Sequence, residues 1–110
     1  MSRIIIVDDH PLFRTALRQT LGQAPGASVE EAGDLAALTA ALEADRDCDL
    51  VLLDLNMPGA HGFSGLLLLR AQYPDVPVMI ISATEDPKVI RRTFEIGAAG
   101  NLPKSVGAAV

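Results

Sequence analysis

The stretch Asp49-Leu50-Val51-Leu52-Leu53-Asp54-Leu55-Asn56-Met57-Pro58-Gly59 decides the fold of this chain. Its run of Leu and Val lacks polar alternation, which is typical of a central strand in a parallel sheet that is covered on both faces. Pro58 and Gly59 end the run, so the strand presents one carboxylate, Asp54, at its carboxyl end. Functional residues collect in the crevice outside such strand ends. A single Asp there more often caps a turn or a helix, so the rest of the chain has to decide between the two interpretations.

Strand-like and helix-like segments alternate along the chain. The predicted strands are residues 3–7, 27–32, the run ending at Asp54, 76–82 and 100–102, and the predicted helices begin at Pro11, Leu35, Phe63 and Pro87. Residues 27–32 carry two glutamates, which favours an edge strand. This alternation predicts right-handed βαβ units and an α/β fold. Five strands suit a flavodoxin-like, doubly wound parallel sheet in the order 2-1-3-4-5.

Three finer expectations concern the helices. Four consecutive leucines, residues 66–69, sweep around most of a helical turn, so at least one is expected to face outward. In the helix beginning at Pro87, the residues expected to face inward are Val89, Ile90, Phe94 and Ile96. Residues 105–110 leave room for about one and a half helical turns, so we expect a truncated final helix.

Composition limits the classes of function. The length of 110 residues suits one domain, residues 1–110, and the net charge of −5 argues against direct binding to a nucleic-acid backbone. The lone Cys48 has no partner for an intramolecular disulfide. No leader-like segment and no apolar run of membrane-spanning length is found, which favours the cytoplasm and no membrane partner.

Four predicted strand ends would meet at one edge of the sheet. They bring together Asp8, Asp9, Asp54, Ser82 and Lys104. Three carboxylates in one crevice repel one another unless a cation neutralises them, and oxygen ligands with room for water match Mg²⁺. One carboxylate could then accept a phosphoryl group, with a hydroxyl and a lysine stabilising its oxygens. A transition-metal site using His10 is the weaker interpretation, because one His among oxygen ligands is poor evidence for it.

The motifs together resemble a known family. They are Asp8-Asp9-His10-Pro11-Leu12-Phe13-Arg14, the strand ending in Asp54-Leu55-Asn56-Met57-Pro58-Gly59, Ile81-Ser82-Ala83, and Gly97-Ala98-Ala99-Gly100-Asn101-Leu102-Pro103-Lys104. In order and spacing, from residue 3 to residue 105, the chain resembles the receiver domain of a bacterial two-component response regulator. It is most similar to the group whose receivers precede a LuxR-type helix-turn-helix, also called the NarL type.

The resemblance implies a role for each motif residue. Asp54 would be the phosphoacceptor, Asp9 a direct Mg²⁺ ligand and Asp8 largely a water-mediated one. The backbone carbonyl of Asn56 would be a further metal ligand. The last two roles, the switch hydroxyl and the phosphate-binding lysine, would fall to Ser82 and Lys104.

The resemblance also implies partners. The phosphoryl donor would be a sensor histidine kinase or a small phosphodonor, and DNA would be bound only through an output domain outside this chain. The expected truncation of the final helix would leave one sheet face partly uncovered, which predicts a homodimer.

One departure from the family keeps alternatives open. The position three residues before the lysine is usually aromatic in this family, and here it is Asn101. An interaction domain that works without phosphorylation is therefore one alternative. A Mg²⁺-dependent phosphatase working through an aspartyl-phosphate is another. Such enzymes usually carry a second acid two residues after the nucleophile, where this chain has Asn56.

Overall fold

Five strands and four helices alternate along the part of the chain that the computed structural model describes, residues 2–55 and 63–104. They are β1 (Ser2–Val7), α1 (Pro11–Leu21), β2 (Ala27–Ala32), α2 (Leu35–Ala44), β3 (Leu50–Asp54), α3 (Ser64–Gln72), β4 (Val78–Ser82), α4 (Pro87–Ile96) and β5 (Gly100–Pro103). Wherever the sequence analysis gave the first or last residue of an element, the observed boundary lies within two residues of it.

The strands form one parallel sheet in the order β2-β1-β3-β4-β5. The predicted flavodoxin-like topology and the edge position of β2 are therefore confirmed. The register aligns Val7 with Leu53 and Asp54 with Ile81, so β1, β3 and β4 end close together. All five strands consequently point their carboxyl ends at the same edge of the sheet.

Both faces of β3 are buried, as its apolar run predicted. Val51 and Leu53 pack into the larger core, which α2, α3 and α4 cover, whereas Leu52 packs into a smaller core under α1. The smaller core contains Ile6, Leu17, Leu52 and Ile81, with Ile4, Phe13, Leu21, Val29, Leu50, Met79 and Leu102 packed against it. Because the side chains of β3 alternate between two buried cores, only the carboxyl end of the strand can present a functional side chain.

The helix faces agree with the sequence at most positions, and in α4 it is Val89 and Ile96 that pack against the larger core. In α3, Leu66 and Leu69 are fully buried and Leu67 is 51% exposed, which confirms that one leucine of the run faces outward. In α4, the expectation that Phe94 faces inward is wrong, because its side chain is 48% exposed. The residue that α4 buries fully is Thr93, four positions after Val89 on the same face, and its Oγ1 donates a 2.6 Å hydrogen bond to the Ile90 carbonyl. Because this hydrogen bond provides the hydroxyl with a partner, a polar residue is tolerated at the buried position.

Arg3 links several elements at the amino-terminal end of the parallel strands. Its guanidinium donates to the carbonyls of Ala41 and Asp45 and to the Glu30 carboxylate, with Nη2 3.0 Å from Oε1. The hydrogen bond from Arg3 lowers the pKa of Glu30 from its ordinary value. One side chain thereby connects β1, β2 and the end of α2.

Two expectations fall outside the described residues. The loop at residues 56–62 contains Asn56, and the truncated final helix was placed at residues 105–110. None of the described helices has the length and apolar composition that a membrane span requires.

The turn from α4 into β5 depends on Gly97. Its φ of 123° is rarely adopted by residues with a side chain, and a Cβ there would lie 2.8 Å from Arg70 Cδ. We expect Gly97→Ala to lower the free energy of unfolding by about 1–3 kcal/mol, measured by urea denaturation. Gly33→Ala is the matched control, since its Cβ would meet only Arg14 Nη1 at 3.5 Å. Equal stability of the two variants would contradict this account of the turn.

Candidate functional site

The parallel sheet brings the predicted site residues to one edge. Asp8 follows β1, and its backbone N–H donates to the Ala32 carbonyl at 3.1 Å, which fixes it beside the end of β2. Asp54 ends β3, and the N–H of Leu55 donates to the Ile81 carbonyl at 3.1 Å. Backbone pairing at the ends of four strands therefore holds the two carboxylates in place.

Lys104 lies between two buried carboxylates. Its Nζ is 3.1 Å from Asp8 Oδ2 and 3.3 Å from Asp54 Oδ2. The Asp8 side chain is 0% exposed and that of Asp54 is 2% exposed. Buried carboxylates need a cation nearby, because burial removes the water that would stabilise their charge. The ammonium of Lys104 supplies that positive charge.

Helix α1 supports the lysine and Asp8. Lys104 Nζ is 5.2 Å from the centroid of the Phe13 ring, within the range of a cation–π contact. The Arg14 guanidinium donates from Nη1 to the backbone carbonyl of Asp8. Phe13 and Arg14, in the first turn of α1, thus contact Lys104 and Asp8, the two partners of this ion pair.

The acidic residues keep unused ligand atoms. Asp8 Oδ1 accepts a 2.7 Å hydrogen bond from the His10 backbone N–H. Within the described residues, the buried atoms Asp8 Oδ2 and Asp9 Oδ1 accept no hydrogen bond of good geometry, although Lys104 Nζ lies 3.1 Å from the first and His10 Nδ1 lies 3.0 Å from the second. Three carboxylates against one ammonium leave negative charge at this edge, which favours a further cation.

Ser82 ends β4 and is fully buried. Its Oγ accepts a 3.1 Å hydrogen bond from the Thr84 backbone N–H. A hydroxyl that accepts in this way keeps its own hydrogen for donation. The structure therefore places Ser82 at the predicted edge, whereas the Asn56 carbonyl lies outside the described residues.

The site has the donors that Mg²⁺ prefers. Four side chains each offer one ligand atom, and these atoms lie within 4.8 Å of one another; the side chains are those of Asp8, Asp9, His10 and Asp54. Mg²⁺ is bound through carboxylate oxygens and keeps several waters. The carboxylate oxygens of Asp8, Asp9 and Asp54 therefore fit this ion.

Three residues support the site beyond the roles that the sequence analysis gave them: Phe13 and Arg14 were missed, and His10 was considered only as a weaker candidate for a transition-metal ligand. His10 Nδ1 lies 2.9 Å from Asp8 Oδ1 and 3.0 Å from Asp9 Oδ1, and Phe13 and Arg14 contact the ion pair from α1. Their spacing held a signal, because residues three and four positions after His10 lie on the same face of a helix that begins at Pro11.

Comparison with known proteins decides the family. Residues 4–110 match the family described as the response regulator receiver domain. The chain belongs to this family. It is therefore a signalling domain of a two-component response regulator, as the sequence motifs predicted.

Similar proteins support the NarL-type group. The chain is 44% identical to the glycerol metabolism activator of Pseudomonas putida, covering 96% of this chain and 48% of that protein. It is 38% identical to the nitrate/nitrite response regulator protein NarP of Escherichia coli, covering 93% and 47%. The chain thus spans about half the length of the curated relatives it matches.

Solved structures agree with the fold. The signal receiver domain of the response regulator NarL from Mycobacterium tuberculosis superposes with a TM-score of 0.83 at 35% identity, covering 94% of this chain and 83% of that one. A LuxR family DNA-binding response regulator from Silicibacter pomeroyi gives a TM-score of 0.82 at 37% identity, covering 96% and 80%.

Removal of the central cation should destabilise the fold. We expect Lys104→Met to lower the free energy of unfolding by about 2–4 kcal/mol in Mg²⁺-free buffer, because Asp8 and Asp54 would lose their buried partner. Lys88→Met, at an exposed position of α4, should change it by less than about 0.5 kcal/mol. Urea denaturation compares the two variants, and a similar small effect of both would contradict the role given to Lys104.

Proposed function

We propose that this domain is a switch operated by phosphorylation of Asp54. The observation that carries the proposal is the buried Asp54 carboxylate at a strand end, 3.3 Å from the Lys104 ammonium. The phosphoryl donor is the phosphohistidine of a sensor histidine kinase, or a small phosphodonor. The domain, residues 1–110, acts as a phosphoacceptor that catalyses its own modification and its hydrolysis rather than as an enzyme with a separate substrate.

The acidic residues provide the metal site in this mechanism. Asp8, Asp9 and Asp54 would hold Mg²⁺, with the backbone carbonyl of Asn56 as a further ligand. When bound, Mg²⁺ supplies positive charge that offsets the charge on the phosphoryl oxygens.

The transfer itself uses three side chains. An oxygen of Asp54 attacks the phosphorus atom, a new O–P bond forms, and the P–N bond to the donor histidine breaks with its electron pair remaining on the ring nitrogen. Lys104 then pairs with a phosphoryl oxygen instead of the Asp54 carboxylate. Ser82 donates its hydroxyl hydrogen to another phosphoryl oxygen. Modification therefore replaces the ion pair between β3 and β5 with contacts through the phosphoryl group.

The output of the switch lies outside this chain. The curated relatives are about twice as long as this chain, and a LuxR family DNA-binding response regulator is among the similar solved structures. Both observations support an output domain that binds DNA. The homodimer expected from the sequence stays a prediction, because residues 105–110, on which it depended, lie outside the described residues.

The phosphatase alternative is less favoured by the residues at hand. It needs a second acid two positions after the nucleophile, and the sequence has Asn56 there.

The other alternative, an interaction domain that ignores phosphorylation, rests on Asn101. An amide side chain does not provide the apolar contact of an aromatic ring. The Asn101 Nδ2 is also buried without a hydrogen-bond partner among the described residues.

Phosphorylation at one residue tests the proposal. Treatment with acetyl phosphate and Mg²⁺ should add a single phosphoryl group, detected by intact-mass spectrometry, because Asp54 is the carboxylate that ends the central strand β3 opposite Lys104. Asp54→Asn should abolish the added mass, whereas Asp75→Asn, at an exposed loop position, should retain it. An unmodified wild-type domain, or modification that survives Asp54→Asn, would overturn the proposal. Repeated turnover of the donor without accumulation would favour a phosphatase.

A further inference from the structure

We propose that Arg14 is a positioning residue that holds Asp8 in place and thereby sets how tightly the site binds Mg²⁺. The inference rests on the proposed function, since it takes Asp8 as one of the acids that hold the metal ion. It goes beyond that function because it assigns part of the Mg²⁺ affinity to a cationic side chain that cannot itself bind a metal ion.

The main chain of Asp8 is fixed from two sides. Its N–H donates to the Ala32 carbonyl at 3.1 Å, and its carbonyl accepts a hydrogen bond from Arg14 Nη1. Asp8 lies one residue past the end of β1 and is fully buried. A charged donor makes a stronger hydrogen bond to a carbonyl than a neutral donor does. Loss of Arg14 therefore loosens the main chain that carries the Asp8 carboxylate.

Glu31 holds the other side of the guanidinium. Arg14 Nε lies 3.2 Å from Glu31 Oε1, and the two side chains are 20% and 24% exposed. Hydrogen bonds from Arg18 and, to a smaller extent, from Arg14 lower the pKa of Glu31, which keeps its carboxylate charged. Glu31 belongs to β2 and directly precedes Ala32, the residue that accepts from Asp8. Because a planar guanidinium held by two acceptors has a fixed orientation, Arg14 joins α1 and β2 into one support for Asp8.

Gly33 leaves room for this arrangement. A Cβ at Gly33 would lie 3.5 Å from Arg14 Nη1, so the guanidinium lies against the backbone of that residue. The backbone N–H of Arg14 donates to the His10 carbonyl at 3.1 Å, which fixes the start of the side chain in the first turn of α1. Both ends of the Arg14 side chain are therefore held by the fold.

Arg18 provides a comparison within the same helix. It lies about one helical turn after Arg14, and its Nη1 is 2.8 Å from Glu31 Oε2. Its side chain is 57% exposed, and among the described residues it makes no hydrogen bond or ion pair with Asp8. The two arginines thus share Glu31, but of the two it is Arg14 that contacts Asp8.

The expected consequence of losing Arg14 is weaker Mg²⁺ binding without a loss of the transfer chemistry. Mg²⁺ demands near-ideal octahedral geometry, so a small displacement of one carboxylate weakens its binding. Residues that orient a metal ligand without touching the metal contribute about 10- to 100-fold to affinity. Asp54, Ser82 and Lys104 are not contacted by Arg14, so saturating Mg²⁺ should restore the rate of phosphorylation.

Calorimetric titration with Mg²⁺ and the initial rate of phosphorylation by acetyl phosphate at increasing Mg²⁺ test the proposal. The proteins are wild type, Arg14→Gln and the matched control Arg18→Gln. We expect Arg14→Gln to weaken Mg²⁺ binding by about 10- to 100-fold, with a rate at saturating Mg²⁺ within about threefold of the wild type. Arg18→Gln should change the affinity by less than about threefold, because it removes only an exposed ion pair.

The outcomes separate positioning of Asp8 from a general effect on the fold. A loss of Mg²⁺ affinity confined to Arg14→Gln supports the inference. Equal affinity in wild type and Arg14→Gln, or an equal loss in Arg14→Gln and Arg18→Gln, would overturn it and leave the phosphorylation switch intact. A wild type that neither binds Mg²⁺ nor accepts a phosphoryl group would overturn the proposed function, and the inference with it.

Glu31→Gln tests the same support if Arg14→Gln does not fold. It leaves Arg14 in place but removes the charge that holds Nε, so the guanidinium is less firmly oriented. Mg²⁺ should bind Glu31→Gln more weakly than Arg18→Gln, because loss of the carboxylate affects both arginines. Equal Mg²⁺ affinity of these two variants would show that the inference is wrong.

Discussion

The site depends on one interaction, the contact of the Lys104 ammonium with the buried carboxylates of Asp8 and Asp54. Two like charges in a crevice that excludes water are costly, and a cation held between them reduces that cost. The same arrangement makes the contacts of Lys104 sensitive to the charge on Asp54, because a group that changes this charge changes what the ammonium pairs with. A covalent phosphoryl group is such a change, because it adds negative charge where the lysine already lies.

The rest of the fold holds this interaction in place. β3 is apolar on both faces, so its two cores fix the strand and leave Asp54 at its end. Helix α1 contributes to the smaller core through Leu17 and to the site through Phe13, which contacts the lysine. The element that covers the sheet therefore also supports the chemistry, and a shift of α1 would disturb both.

The sequence predicted most of the fold because its signals were local. Strand ends were marked by Asp54 and Ser82, and the end of α4 by Gly97, whose positive φ needs glycine. Phe94 was misplaced because helical periodicity alone does not show which side of α4 packs against the sheet, and Thr93 occupies the buried position. The contacts of His10 were missed because they depend on a side chain turning back to Asp8 and Asp9, which spacing does not encode.

The central claim is that the three carboxylates form one cation site. Thermal unfolding at increasing Mg²⁺ concentration tests it most directly, because an ion that binds only the folded state stabilises it by about 2.7 kcal/mol at a hundred times its Kd. The melting temperature should rise with Mg²⁺ in the wild type and in Asp75→Ala, whose residue is exposed and away from the strand ends, and most of the rise should disappear in Asp9→Ala. An equal rise in Asp9→Ala and in the wild type would contradict the claim.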